Sequence, residues 1–122
     1  RNVLRHKVIV DQSVLTIRVD ESLYFANTRA LEDRIYDEVA MKTDLKHVIL
    51  MCSAVNAIDM SALESLEAIN ARLKLGGVDF HLSEVKGPVM DRLQRSGFLE
   101  HLTGQVFLSQ HQAQTAIGVV TT

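Results

Sequence analysis

At 122 residues the chain is long enough to bury one core and too short for two, so a single domain over residues 1–122 is expected. A composition of 47% hydrophobic and 23% charged residues with one proline is that of a folded protein and excludes a disordered segment. Thirteen Lys and Arg against fifteen Asp and Glu leave a formal net charge of -2, and no basic run offers the footprint that nucleic acid needs.

Along the chain, Val8 to Val10 and Val14 to Val19 are β-rich runs separated by Asp11-Gln12-Ser13, and they predict an opening hairpin. In the second run Leu15, Ile17 and Val19 alternate with Thr16 and Arg18, the pattern of a half-buried strand. A short β segment, Leu23-Tyr24-Phe25, precedes a helix capped by Asn27, in which Leu31, Ile35 and Val39 recur every four residues up to about Lys42. The run His47 to Cys52 is almost wholly apolar, as in a central strand covered by helices on both faces.

Ser61 and Glu64 make an S-x-x-E capping box for a second helix whose inward stripe is Leu63, Leu66, Ile69 and Leu73, ending at Gly76-Gly77. Val78 to Val85 reads as a strand. Gly87-Pro88 then opens a third helix that Gly97 closes, with Phe98 packing back. Gln105 to Leu108 is a short strand, and Ser109 with Gln112 forms a second capping box before a last helix through Ala116 and Ile117. Strands alternating with about four helices predict an α/β fold with a mixed, mostly parallel sheet opened by a β-hairpin.

No dinucleotide fingerprint, phosphate loop, nucleophile elbow, H-E-x-x-H or C-x-x-C occurs, so neither an enzyme nor a cofactor is expected. His6, His47, His81, His101 and His111 lie far apart without ligand spacing and read as surface or strand-end side chains, which argues against a metal. Cys52 reads as a buried strand thiol in a reducing compartment. No stretch approaches the roughly 20 apolar residues of a membrane span. The start at Arg1 in place of methionine leads to the expectation that the chain is cut from something longer.

The loop Val55 to Ser61 follows the carboxyl end of the central strand and enters a helix N-terminus, the edge where open α/β sheets bind ligands. A phosphate on Ser61 would sit at the positive end of the helix dipole, opposed by Asp59 and Glu64. The plainer account makes Ser61 the helix cap and Asp59 a turn residue. The outward side of the same helix carries Glu64, Ser65, Ala68 and Arg72 beside Ser61, small and charged groups that suit either solvent or a close-fitting partner.

Four strings in order, Val14 to Val19, Ile58 to Leu63, Gly76-Gly77-Val78 and Arg92 to Phe98, resemble the STAS family, the fold of anti-sigma-factor antagonists and of the cytosolic tails of SulP anion transporters. The resemblance covers nearly the whole chain. Leu23-Tyr24-Phe25-Ala26-Asn27 is similar to the S-L-Y-F-A-N string of the transporter tails, where antagonists carry a polar segment. In antagonists the serine matching Ser61 is phosphorylated in a D-S-S-G context; here Asp59-Met60-Ser61-Ala62 keeps the aspartate and the serine but not the first serine or the glycine.

The resemblance implies a regulatory domain on the cytoplasmic side of an inner or plasma membrane, attached to a transporter of sulfate or a related anion. Its partners would be the transporter's own membrane domain or a cytosolic regulatory protein, met through Asn56, Met60, Glu64, Ser65, Ala68 and Arg72. The alternatives are a free-standing antagonist switched at Ser61 and a sensor that binds nucleotide weakly. The loop itself holds no basic residue to take a phosphate.

Overall fold

The computed structural model describes residues 4–11 and 13–117; for residues 4–11 and Phe25 it describes the backbone alone. Gln12 of the hairpin turn therefore lies outside the described residues, as does the start at Arg1.

Strands β1 (Leu4–Asp11), β2 (Val14–Val19), β3 (His47–Met51), β4 (Asp79–Ser83) and β5 (Val106–Phe107) form one sheet in the order β1-β2-β3-β4-β5. The opening pair is antiparallel and every later pair parallel. The connections carry helices α1 (Phe25–Met41), α2 (Met60–Leu75), α3 (Gly87–Ser96) and the single turn α4 (Phe98–His101), and α5 (Gln110–Ile117) follows β5. The expected mostly parallel α/β sheet is present, with five helices because Gly97, in the left-handed conformation at φ 81°, breaks the third into two.

Alternation along the strands divides the molecule. Leu15, Ile17, Val48, Leu50, Phe80 and Leu82 point into a core with Leu31 and Ile35 of α1, Leu63, Leu66, Ile69 and Leu73 of α2, Leu93 of α3 and Phe98 of α4. The other face turns Val14, Ile49 and Phe107 toward Ala113 of α5, with Ile117 packed beside them. β3 is covered on both faces, as its apolar run requires.

β2 is not the half-buried strand its alternation implies. Thr16 is buried, because Gln110 of α5 donates its Nε2–H to the Thr16 hydroxyl at 3.2 Å; only Arg18 faces out, beside Asp20. The segment expected as a short strand at Leu23 to Phe25 contributes one bridging residue, Leu23, paired with Ile58, and α1 has already begun at Phe25. Asn27 accordingly sits in the first turn, where its Oδ1 accepts the Tyr24 backbone N–H at 2.9 Å. β4 is shorter than Val78 to Val85, since Glu84 turns the chain at φ 60° and its carboxylate accepts the Gln110 N–H that opens α5.

Candidate functional site

At the carboxyl edge of the sheet three connections meet: Asp20 to Tyr24 after β2, Cys52 to Asp59 after β3, and Glu84 to Lys86 after β4. The strand order never reverses, so the crevice of a doubly wound sheet, which the reading of this edge as a ligand site presumes, does not open here.

The loop is held rigidly. Ser22 Oγ accepts the backbone N–H groups of both Asn56 and Ala57, each at 3.1 Å. Leu23 donates its N–H to the Ala57 carbonyl and accepts from the Asp59 N–H. Asn27 reaches back with Nδ2 to the Ser22 carbonyl at 2.7 Å. Val55 and Ile58 are buried, while Asn56, Ala57 and Met60 face outward. The polar atoms of Ser22 and Asn27 thus fix which residues the loop presents.

Asp59, not Ser61, caps α2. Its Oδ1 accepts the Ala62 N–H at 2.8 Å, and Ser61 lies at the second helical position, half-buried. Both residues are good caps, and the S-x-x-E pattern favours Ser61. The hydrophobic staple distinguishes them: with Asp59 as cap the flanking pair is Ile58 and Leu63, both buried, whereas a Ser61 cap would make it begin with exposed Met60.

Ser61 walls a shallow groove between α1 and α2 with Glu32, Glu64, Ser65 and Ala68. Glu64, Ala68 and Arg72 are exposed, as expected of an outward face, and Ser65 is half-buried against α1. Arg72 already has a partner, its guanidinium carbon lying 4.2 Å from the centre of the Tyr36 ring. Burial and the neighbouring Glu32 carboxylate hold the Tyr36 phenol above its usual pKa. Burial pushes the Cys52 thiol up to about 12, so it stays protonated at neutral pH.

Two features of the structure are invisible in the local strings. Lys86, which opens α3, donates to Asn56 Oδ1 at 2.6 Å and brings to the loop the cation that its own residues lack. On the α5 face, His47 and buried His81 come together, Nδ1 to Nε2 at 3.1 Å, with Asp79 beside them. His81 is an interior residue of β4, not a surface or strand-end one. Parallel pairing sets His47 level with Asp79, so His81 two residues on shares its face. Sequence separation hides this, because only the strand register places the two rings together.

The STAS domain family model matches residues 6–113. Among curated relatives, a probable sulfate transporter 3.4 from Arabidopsis thaliana is 35% identical over 72% of this chain and 15% of its own length. The chain spans no more than 20% of the length of the curated relatives it matches. Among solved structures, the murine Solute Carrier 26 family member A9 anion transporter superposes with a TM-score of 0.77 at 21% identity, over 88% of this chain and 18% of that one. A putative anti-sigma factor antagonist from Thermotoga maritima superposes with a TM-score of 0.79 at 19% identity, over 93% of both chains.

Proposed function

We propose that this chain, which belongs to the STAS domain family, is a non-catalytic regulatory module of a larger sulfate or related anion transporter. It acts from the cytoplasmic side through protein contacts made by the loop 55–61 and the exposed face of α2. Among the described residues no helix is long and apolar enough to cross a membrane, so the transport path would belong to another part of the protein.

One observation carries this reading. The Ser22 to Asn27 string, which resembles the transporter tails and not the antagonists, spends its polar atoms on the loop: Ser22 holds Asn56 and Ala57, Leu23 bridges Ile58, and Asn27 secures Ser22. A segment that shapes a contact loop so closely suits a module whose contact is fixed by its place in a larger chain. The curated relatives are sulfate transporters, which points the same way.

The test begins with the reading frame upstream of Arg1. About ten apolar spans there would support the transporter reading, and sulfate uptake by cells expressing the whole protein should then fall severalfold in Met60→Asp and Ala68→Glu variants of unchanged abundance. A start codon close to Arg1, or uptake untouched by both substitutions, would count against it.

The Asp59 cap favours a second reading to a lesser degree. Because Asp59 serves the helix end, the Ser61 hydroxyl is not needed there and remains open to a kinase, as in an antagonist switched by phosphorylation. Glu32 and Glu64 line the same groove and would repel the phosphate. Phosphate incorporation that disappears in Ser61→Ala would establish this reading; no incorporation with kinases from the source organism would remove it.

A further inference from the structure

The α5 face holds a histidine pair that the proposed regulatory contacts do not use. His81 Nδ1 faces the backbone N–H of Gln105 at 3.1 Å, and a main-chain N–H can only donate. The neutral ring therefore carries its proton on Nε2 and donates it to His47 Nδ1 at 3.1 Å. The bonds run one way, from Gln105 through His81 to His47.

An added proton has no place in that chain. On His81 Nδ1 it would face the Gln105 N–H, and on His47 Nδ1 it would face the His81 Nε2–H. His47 is half-exposed at the start of β3 and can turn its ring toward water. His81 has no such freedom. Gly104 passes so close that a Cβ there would run into the ring, and the Phe107 ring lies 5.7 Å away. The ring nitrogens of His47 and His81 and a carboxylate oxygen of Asp79 lie within 4.8 Å of one another, a spacing that could suit a cation. The tautomer argues otherwise, since Nδ1 of His81 is occupied by Gln105 and Nε2 bears the proton.

What His81 holds is weakly held otherwise. Among the described residues, β5 is two residues long and pairs only with β4, and α5 has one fully buried side chain, Ala113. The remaining ties are the small apolar cluster of Phe107, Ala113 and Ile117 with Val14 and Ile49, the edge of Val106 against the large core, and polar contacts: the Leu82 N–H to the Gln105 carbonyl, the Glu84 N–H to the Phe107 carbonyl, the Gly104 N–H to the Phe80 carbonyl, Gln110 to Ser83 and Thr16, and Glu84 to the Gln110 N–H. The geometry points to a proton-operated latch, in which protonation of His81 breaks the Gln105 hydrogen bond and releases β5 and α5 while the α1 and α2 side of the sheet stays folded.

Among the described residues, the titratable groups acting on His81 are His47 from β3 and Asp79 from its own strand. Gln105 and Phe107 of the β5 segment, Thr16 of β2, and Gln110, Ala113 and Ile117 of α5 carry no charge, and His111 of α5 is exposed. Burial, and to a lesser extent the neighbouring His47, lower the proton affinity of His81, and Asp79 opposes them, leaving it at about 4.

The test is a nuclear magnetic resonance titration of the 122-residue chain from pH 7.5 to 3.0, following the His81 ring and the backbone amides. The amides of Gly104, Gln105 and residues 110 to 117 should lose at least tenfold in exchange protection with the same midpoint as the ring, while Leu50 and Leu66 keep theirs. His81→Asn sets a non-titrating Oδ1 where Nδ1 stood and should hold the segment closed to pH 3. Should that variant not fold, His47→Asn leaves His81 in place and should still show release. The latch is refuted if all amides are lost together, if residues 104 to 117 ignore the ring's titration, or if His81→Asn opens like the parent chain.

Discussion

The two faces of the sheet are held by different physics. Among the described residues, the α1 to α4 side gathers twenty-three buried side chains into one cluster, and the α5 side gathers four. The first is stabilised by apolar burial, which is non-directional and tolerates small displacements. The second depends on hydrogen bonds among Thr16, Ser83, Gln110, His47 and His81, each worth about 1 kcal/mol net and lost when one partner changes. A domain built this way has a permanent face and a releasable one.

The sharpest way to break the contrast is to damage each face in its own terms. Leu66→Ala removes a buried side chain from the large cluster and should cost about 3 kcal/mol in urea unfolding, with the whole domain losing stability together. A loss well below this would mean that the α2 side is less closely packed than its burial indicates.

Acid should find the other face. His81 has a folded pKa of about 4 against an ordinary 6.5. Above pH 6.5 both states are neutral and this group adds no pH dependence. Between 6.5 and 4 the unfolded chain binds a proton that the folded one refuses, so stability falls as pH falls, by up to about 1.4 kcal/mol per unit. Below 4 the loss levels off, after a total of about 3 kcal/mol. His81→Asn should flatten that part of the curve; an unchanged slope would assign the acid sensitivity to other groups. Gly104→Ala tests the same place at neutral pH. Its methyl would collide with the His81 ring and the Phe80 carbonyl, and a cost of about 2 kcal/mol is expected although nothing is removed.

The contrast also explains what was legible in the sequence. Elements that feed the large core announce themselves by periodicity: the Leu63, Leu66, Ile69 and Leu73 stripe is wholly buried, β2 occupies Val14 to Val19 as its alternation predicts, and Gly97 ends α3 where a left-handed residue is needed. The small face has no such signature. Thr16 reads as outward because it is polar, and only Gln110, 94 residues away, makes it an inward residue. His47 and His81 look unrelated until the register of β3 and β4 is known. At the loop 55–61 the anchoring string was visible as a resemblance, but its task of holding Asn56 and Ala57 through Ser22 was not, nor was the arrival of Lys86.

The smallest expected effects decide how the loop 55–61 is read. Asp59 accepts the Ala62 N–H and closes the end of α2, so Asp59→Ala should cost about 1 kcal/mol in thermal melts. Ser61 sits inside the helix, where alanine is the better helix former, and Ser61→Ala should change stability by no more than about 0.5 kcal/mol. If the order were reversed, Ser61 would be the cap and its hydroxyl would already be committed to the fold. With the expected order, a functional defect in Ser61→Ala at undiminished stability would place the role of the hydroxyl outside the domain, in whatever partner or kinase meets the groove between α1 and α2.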